Sequence, residues 1–352
     1  MRYLLSPAAL LLATQLTAAS PLDSRITLLE EQMKDLRVET MNGNFGAKTA
    51  SAYPNLRSWG AYASVEGLYL NFREGGTDYA FDEVAGNSAF YKGKIQYFDF
   101  DWKFAFRVTA GYQFSNPDWD TWAEYIRFAT SQSKNTPRAP GGSIDSNVYF
   151  STGINTRNAK LNMSVNYNVV DWNVGRLFFL RKNFSVHPFA GIRGSWINQH
   201  QQTDMTTNTY TDSFYQKNDT WSLGFRTGSQ GRWYFSKNWS AFGSAAASIL
   251  YTDFSNSARL NRISNNVPNQ LLNINLGNRR MLPNATLDAG ISWEMSYACD
   301  RSRVRISAGY EFDYWWRQNQ TIHLNAGTFF SYFRTSEDIA LQGVKLNAAF
   351  DF

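Results

Sequence analysis

Twelve charged side chains recur at every second position of otherwise apolar or aromatic stretches. Asp99, Asp101, Lys103 and Arg107 share one phase of YFDFDWKFAFRVTAGYQF (97–114), and Arg226 and Arg232 share the polar phase of 219–235. Asp288 and Glu294 do the same in 284–297, as do Arg303, Arg305, Glu311 and Asp313 in 303–314. A period of two puts such residues on one face of an extended chain. If those faces line an enclosed wet space, two chemistries follow. Rings of charge can set the ion preference of a narrow pore, or opposite charges can pair across strands and fill the interior, as side chains do in small barrels.

Catalytic chemistry has little support. The histidines are His187, His200 and His323, and none has a second His or Cys at ligand spacing, so no zinc site is read. His187 precedes Pro188 on a strand, where a structural role is expected. Asp204, Asp212 and Ser213 lie near His200, but loops are normally rich in such residues, and a nucleophile–base pair would have to converge in space. No nucleotide-binding glycine loop and no nucleophile elbow occurs. The expectation is a protein without catalytic residues, metal or cofactor. A net charge of +5 without a basic run argues against a nucleic-acid partner. Cys299, the one cysteine, excludes an internal disulfide. It lies in YACDRS, expected to be a short periplasmic turn.

The elements that carry these charges read as strands. In 97–114 every even position from Phe98 to Phe114 is apolar. Ordinary soluble strands run about 3–10 residues, and this alternation is longer and unusually aromatic. The same pattern recurs in 59–72, in TWAEYIRFAT after the turn SNPDWD, and in 158–178. There Leu161, Met163, Val165, Tyr167 and Val169 oppose Lys160, Asn162, Ser164, Asn166 and Asn168. Residues 219–235 put Trp221, Leu223, Phe225, Trp233 and Phe235 outward, and 284–297, 303–314 and the C-terminal DIALQGVKLNAAFDF alternate likewise. Aromatics make up 16% of the chain and charged residues 18%. No mature segment has the roughly 20 apolar residues of a membrane helix. A transmembrane barrel escapes hydropathy in this way, because each strand averages a lipid face with a wet one. A large soluble sandwich is the competing architecture, but it would have to hide all the aromatic faces in one core.

The N-terminus, MRYLLSPAALLLATQLTAAS, has the charged, apolar and small-residue parts of a signal peptide over 1–19. Residues 22–40 follow the 3-4-3 spacing of Ile26, Leu29, Met33 and Leu36, an amphipathic periplasmic helix. It either packs on its own barrel or self-associates into a coiled coil that would make the protein a homo-oligomer. Residues 41–57 read as a linker, and 58–352 as the barrel.

Short turns are expected near 115–119, 180–184, 236–238 and 298–302, and long polar loops near 73–96, 131–157, 198–218, 252–283 and 317–337. Short turns on one side and long loops on the other are the habit of bacterial outer-membrane barrels, whose strand number is even. The expectation is an all-β chain forming a single transmembrane antiparallel β-barrel of about ten strands, both termini on the short-turn side. Extra strands hidden in the loops, for example in TIHLNAGTFFSYF, would raise the number to twelve. The apolar faces meet outer-membrane lipid, with Tyr97, Phe98, Tyr112 and Phe114 near the strand ends as interfacial aromatics.

Several segments together resemble the major-outer-membrane-protein-like family first described in Legionella and widespread in chlamydia-related bacteria. They are LLEEQMKDLRVET, SVEGLYL, NVVDWNVGRLF, HPFAGIRGSWI, GYEFDYWWRQN and LNAAFDF, in this order along the mature chain. The resemblance implies an abundant surface barrel with porin-like passage of small hydrophilic solutes or ions. The alternative is a structural or adhesive barrel with a closed lumen and binding by long loops. The cross-linked coat of the cysteine-rich chlamydial porins does not carry over to a chain with Cys299 alone. The terminal strand ending in Phe352 resembles the signal read by the barrel-assembly machinery.

Overall fold

The structure, a computed structural model, describes residues 60–83, 93–114, 119–138, 140–150, 156–181, 183–236, 238–297, 302–326 and 330–351. The expected signal peptide, the 22–40 helix, the linker, Cys299 and Phe352 lie outside the described residues.

Ten long strands follow one another: β1 Gly60–Glu74, β2 Lys103–Gln113, β3 Trp119–Pro137, β4 Asn158–Arg176, β5 Phe184–Thr206, β6 Tyr210–Tyr234, β7 Trp239–Ser264, β8 Val267–Tyr297, β9 Ser302–Ala326 and β10 Phe330–Asp351. Each pairs antiparallel with its neighbours in sequence, and β10 closes on β1, Tyr62 opposite Asp351. Closure leaves no sheet edge inside the membrane, so wall backbone groups there find partners without water. TIHLNAGTFFSYF is the tip of the β9–β10 hairpin and adds no wall strand.

The apolar belt is read from the outward phase. Phe104, Phe106 and Val108 on β2, Leu223 and Phe225 on β6, Ile249 on β7, Leu287 and Ile291 on β8, and Val344 and Leu346 on β10 are all exposed. Tyr112 and Phe114 meet edge to face, their ring centroids 5.9 Å apart, beside Trp119 at the short-turn end. Trp196 and Trp221, directly paired, border the belt at the other end.

Beyond that border the pattern inverts. On β4 the buried phase runs from Leu161 through Met163, Val165 and Tyr167 to Val169, then turns polar at Asp171 and Asn173. The outward phase does the reverse, with Asn166 and Asn168 giving way to Val170, Trp172 and Val174. The lower part of the strand stands in lipid, where the outside must be apolar and the inside can be wet. The upper part stands in water, where the apolar side must turn inward. The adjacent valines Val169 and Val170 mark the change.

The same logic corrects three expected loops. Segments 198–218, 252–283 and 317–337 are largely strand, turning at 207–209, 265–266 and between β9 and β10. They are polar because their outer face meets water, not because they lack ladder bonds. In contrast, 97–102 is not strand although it continues the alternation. Phe98 and Phe100 are buried, with Phe100 edge to face on Phe72 at 5.1 Å and Phe98 edge to face on Phe100 at 4.9 Å. They belong to an inner cap, and Phe98 is not an interfacial aromatic. Strands Ala80–Glu83, Gly93–Gln96 and Ser143–Ser146 form a small second sheet in that cap.

β9 leaves the wall near its top. It pairs with β8 only up to Trp315 opposite Asn284, then bulges, with Arg317 at φ 56°. The hairpin beyond folds across the mouth. Gln216 of β6 clasps it twice, donating to the Ile322 carbonyl (2.8 Å) and accepting from the Ile322 amide (3.1 Å). Asn319 donates to the carbonyl of Gly75, at the end of β1 (2.8 Å).

Candidate functional site: the charged lumen

The inward phase within the membrane belt carries a two-part ion network. Arg107 of β2 bridges Glu66 of β1 and Glu311 of β9. Lys345 of β10 donates to Asp288 of β8 at 2.7 Å and stands 3.7 Å from Glu311. A few ångströms along, Arg193 of β5 forks onto Asp171 of β4 with two bonds of 2.7 and 2.6 Å and also donates to Asn284. Arg226 of β6 lies 3.6 Å from the same Asp171 and donates to Thr286. Asp313 accepts from Tyr167 and Asn284, each at 2.6 Å. Planar guanidinium groups suit this work because they bind carboxylates through two parallel bonds.

Nearer the short-turn end, Arg232 donates to Ser292 (2.9 Å), Arg303 stands 3.7 Å from Glu294, and Arg305 is buried. His187 is buried against Asp120, its Nε2 2.9 Å from the carboxylate and its ring beside Trp122. Thus Arg107, Arg226, Arg232, Asp288, Glu294, Arg303, Arg305, Glu311 and Asp313 all point into the barrel. Asp99 and Asp101 do not join them. They sit in the non-strand segment 97–102 and are exposed, because Phe98 and Phe100 take the inward positions there. Lys103 opposes Leu70 at the start of β2, above the network, and is exposed.

Partners that the sequence reading passed over complete the network: Glu66, Asp171, Arg193, Asn284 and Lys345. Their signal was present. Glu66 in SVEGLYL and Lys345 between Val344 and Leu346 both break an apolar alternation on its polar phase. Asp171 was hidden because it continues the apolar odd phase of β4 after the inversion.

Two small cavities remain among these side chains. One of about 120 Å³ borders Glu66, Arg107, Arg232, Arg305 and Lys345. The other, about 60 Å³, lies between Arg107, Asp171, Arg193 and Arg226. At about 30 Å³ per water, these hold a few molecules. Above them the bore is filled by Leu68, Leu70, Phe72, Phe128, Leu161, Val165, Leu250, Trp315 and Leu341, each exposed by at most 2%. Among the described residues, no group of three or more His, Cys, Asp or Glu side chains is placed to hold a metal ion.

The family model described as the Legionella pneumophila major outer membrane protein precursor matches residues 55–352. The chain belongs to this Legionella major outer membrane protein family. The match covers every described strand, and the family assignment makes this an outer-membrane β-barrel. No curated protein matches the sequence. Among solved structures, the outer membrane protease OmpT of Escherichia coli aligns at 10% identity and TM-score 0.39, covering 83% of this chain and 96% of that one. A FadL homologue of Pseudomonas aeruginosa aligns at 9% and 0.26, over 84% and 90%. Ail, the attachment invasion locus protein of Yersinia pestis, aligns at 9% and 0.22, over 83% and 99%.

Proposed function

We propose that this member of the Legionella major outer membrane protein family is a surface barrel with a closed lumen, whose exposed upper walls and cap do its work. The supporting observation is the apolar layer above the ion network. A water-filled bore would leave its lining accessible, yet Leu70, Phe72, Leu250 and Trp315 are each at most 1% exposed. The charges below are committed to one another, which favours a rigid interior over a selectivity ring. The same commitment, with His187 held by buried Asp120, favours a non-catalytic protein.

Planar-bilayer recording tests this. The expected result is an inserted but electrically silent barrel. Stepwise single-channel currents from the intact protein would overturn it in favour of porin-like passage. That second reading is favoured by one feature, the polar lower lumen under a strap held across the mouth by side-chain bonds. It expects deletion of residues 318–337 to open the bore, and a closed barrel expects continued silence because the apolar layer remains.

A further inference from the structure

The outer wall carries a concave polar site just above the aromatic border. It is built by five adjacent strands in register. One row runs Ser131, Ser164, His200, Lys217, Ser257 across β3 to β7. The next row outward runs Ser133, Asn162, Gln202, Tyr215, Arg259. All of these belong to the outward phase. The three serines of the first row leave a low floor, and Asn162, Gln202, Tyr215 and Arg259 rise beside it, enclosing about 360 Å³.

Depth narrows the ligand. Lys217 stands four residues beyond Trp221 on β6, and His200 four beyond Trp196 on β5. At about 3.3 Å per residue, reduced by strand tilt, the floor lies roughly 10 Å outside the apolar belt. That is the outer margin of the headgroup layer, clear of the hydrocarbon. Apart from Met163 and the Tyr215 ring, the side chains lining the site are polar or charged. It offers amides and hydroxyls, an exposed tyrosine ring, and two cations. Amides and hydroxyls match sugar hydroxyl groups, and the Tyr215 ring matches a sugar face. Lys217 and Arg259 match an anion on that sugar. Asp219, one row nearer the membrane, already holds Lys217 at 2.6 Å and His200 at 3.3 Å. It fixes those two side chains in place.

We infer that this groove binds the phosphorylated saccharide headgroup of an outer-leaflet glycolipid, with Lys217 and Arg259 on the phosphate and Asn162, Gln202 and Tyr215 on the sugar. Binding there would fix one side of the barrel to the leaflet. The inference is independent of whether the lumen conducts.

The test uses the full mature chain in detergent, freed of lipid, with native mass spectrometry as the readout. The probes are lipopolysaccharide with a phosphorylated core, the same material after phosphatase treatment, phosphatidylglycerol, and inorganic phosphate. The expected result is retention of the phosphorylated lipopolysaccharide, with at least tenfold weaker retention after phosphatase treatment or in the Lys217→Ala/Arg259→Ala variant. Tyr215→Ala should weaken it without affecting phosphatidylglycerol. Equal retention by wild type and the double variant would overturn the site. Equal retention of phosphatidylglycerol would overturn the saccharide assignment, and equally tight inorganic phosphate would reduce the groove to an anion site. Both variants alter exposed side chains, and heat-modifiable gel migration verifies that each barrel is folded.

Discussion

Arg107 reaches Glu311 from three strands away, its Nη1 2.8 Å from the carboxylate, so the contact passes beneath β1 and β10 through the lumen. Arg107→Ala leaves Glu66 and Glu311 facing each other with Lys345 as the nearest remaining cation. Removing one partner of a buried pair costs about 3–5 kcal/mol. Urea unfolding in lipid vesicles should register a loss of that order. Replacing Arg107, Glu66 and Glu311 together by apolar residues of similar volume should cost far less, because no uncompensated charge is left behind.

Two outward positions separate lipid from water. Phe225 is 80% exposed and lies in the belt, while Ser255 on the neighbouring strand lies above it. Phe225→Arg should cost about 2–4 kcal/mol, as arginine does near the bilayer midplane. Ser255→Arg should stay within about 0.5 kcal/mol, as for an ordinary surface change. The vesicle folding assay that gives equal costs at both sites would place the belt wrongly.

Tyr62 lies over Gly111, its direct cross-strand partner. A Cβ added at Gly111 would collide with the buried tyrosine ring, which also donates a long bond to Asp120. Gly111→Ala should therefore cost about 1–3 kcal/mol by overpacking. Combining it with Tyr62→Leu should recover part of that loss, a non-additivity that a double-mutant cycle measures.

The Gln216 clasp on Ile322 predicts a local effect. Gln216→Ala removes both bonds, each of about 0.5–1.5 kcal/mol. Amide exchange at Ile322 should quicken by about tenfold or more, while the amides of β4 and β5 keep their protection. Uniform quickening over the whole barrel would mean that the strap and the wall open together.

Much of this fold was legible from the alternation of side chains. Ten strands, the short turns, and inward Arg226, Asp288, Arg305 and Glu311 follow from period two together with the habit of bacterial barrels. What was hidden follows from a limit of that signal. Period two says that a strand has two faces but not which solvent each face meets. Leu161 to Val169 alternate as cleanly as Val170 to Val174, yet the apolar side is inside in one run and outside in the other. Only the doublet Val169-Val170 betrays the shift. Similarly, Phe98 and Phe100 keep the beat of β2 without belonging to it, since packing into a cap also alternates. The polar segments 198–218 and 252–283 hid their strands because neither lipid nor a complete apolar face marks them.

The departure of β9 from β8 above Asn284 means that the rim is not a continuous hoop. Residues 267–283 of β8 are laddered only to β7. A residue inserted or lost at the 265–266 tip is therefore absorbed along the free edge of β8, while β7 stays laddered to β6 and the stagger of the strands in the bilayer is kept. The upper segment of β8 is free to change in length and sequence across a lineage while the shear number, and with it the diameter of the barrel, stays constant.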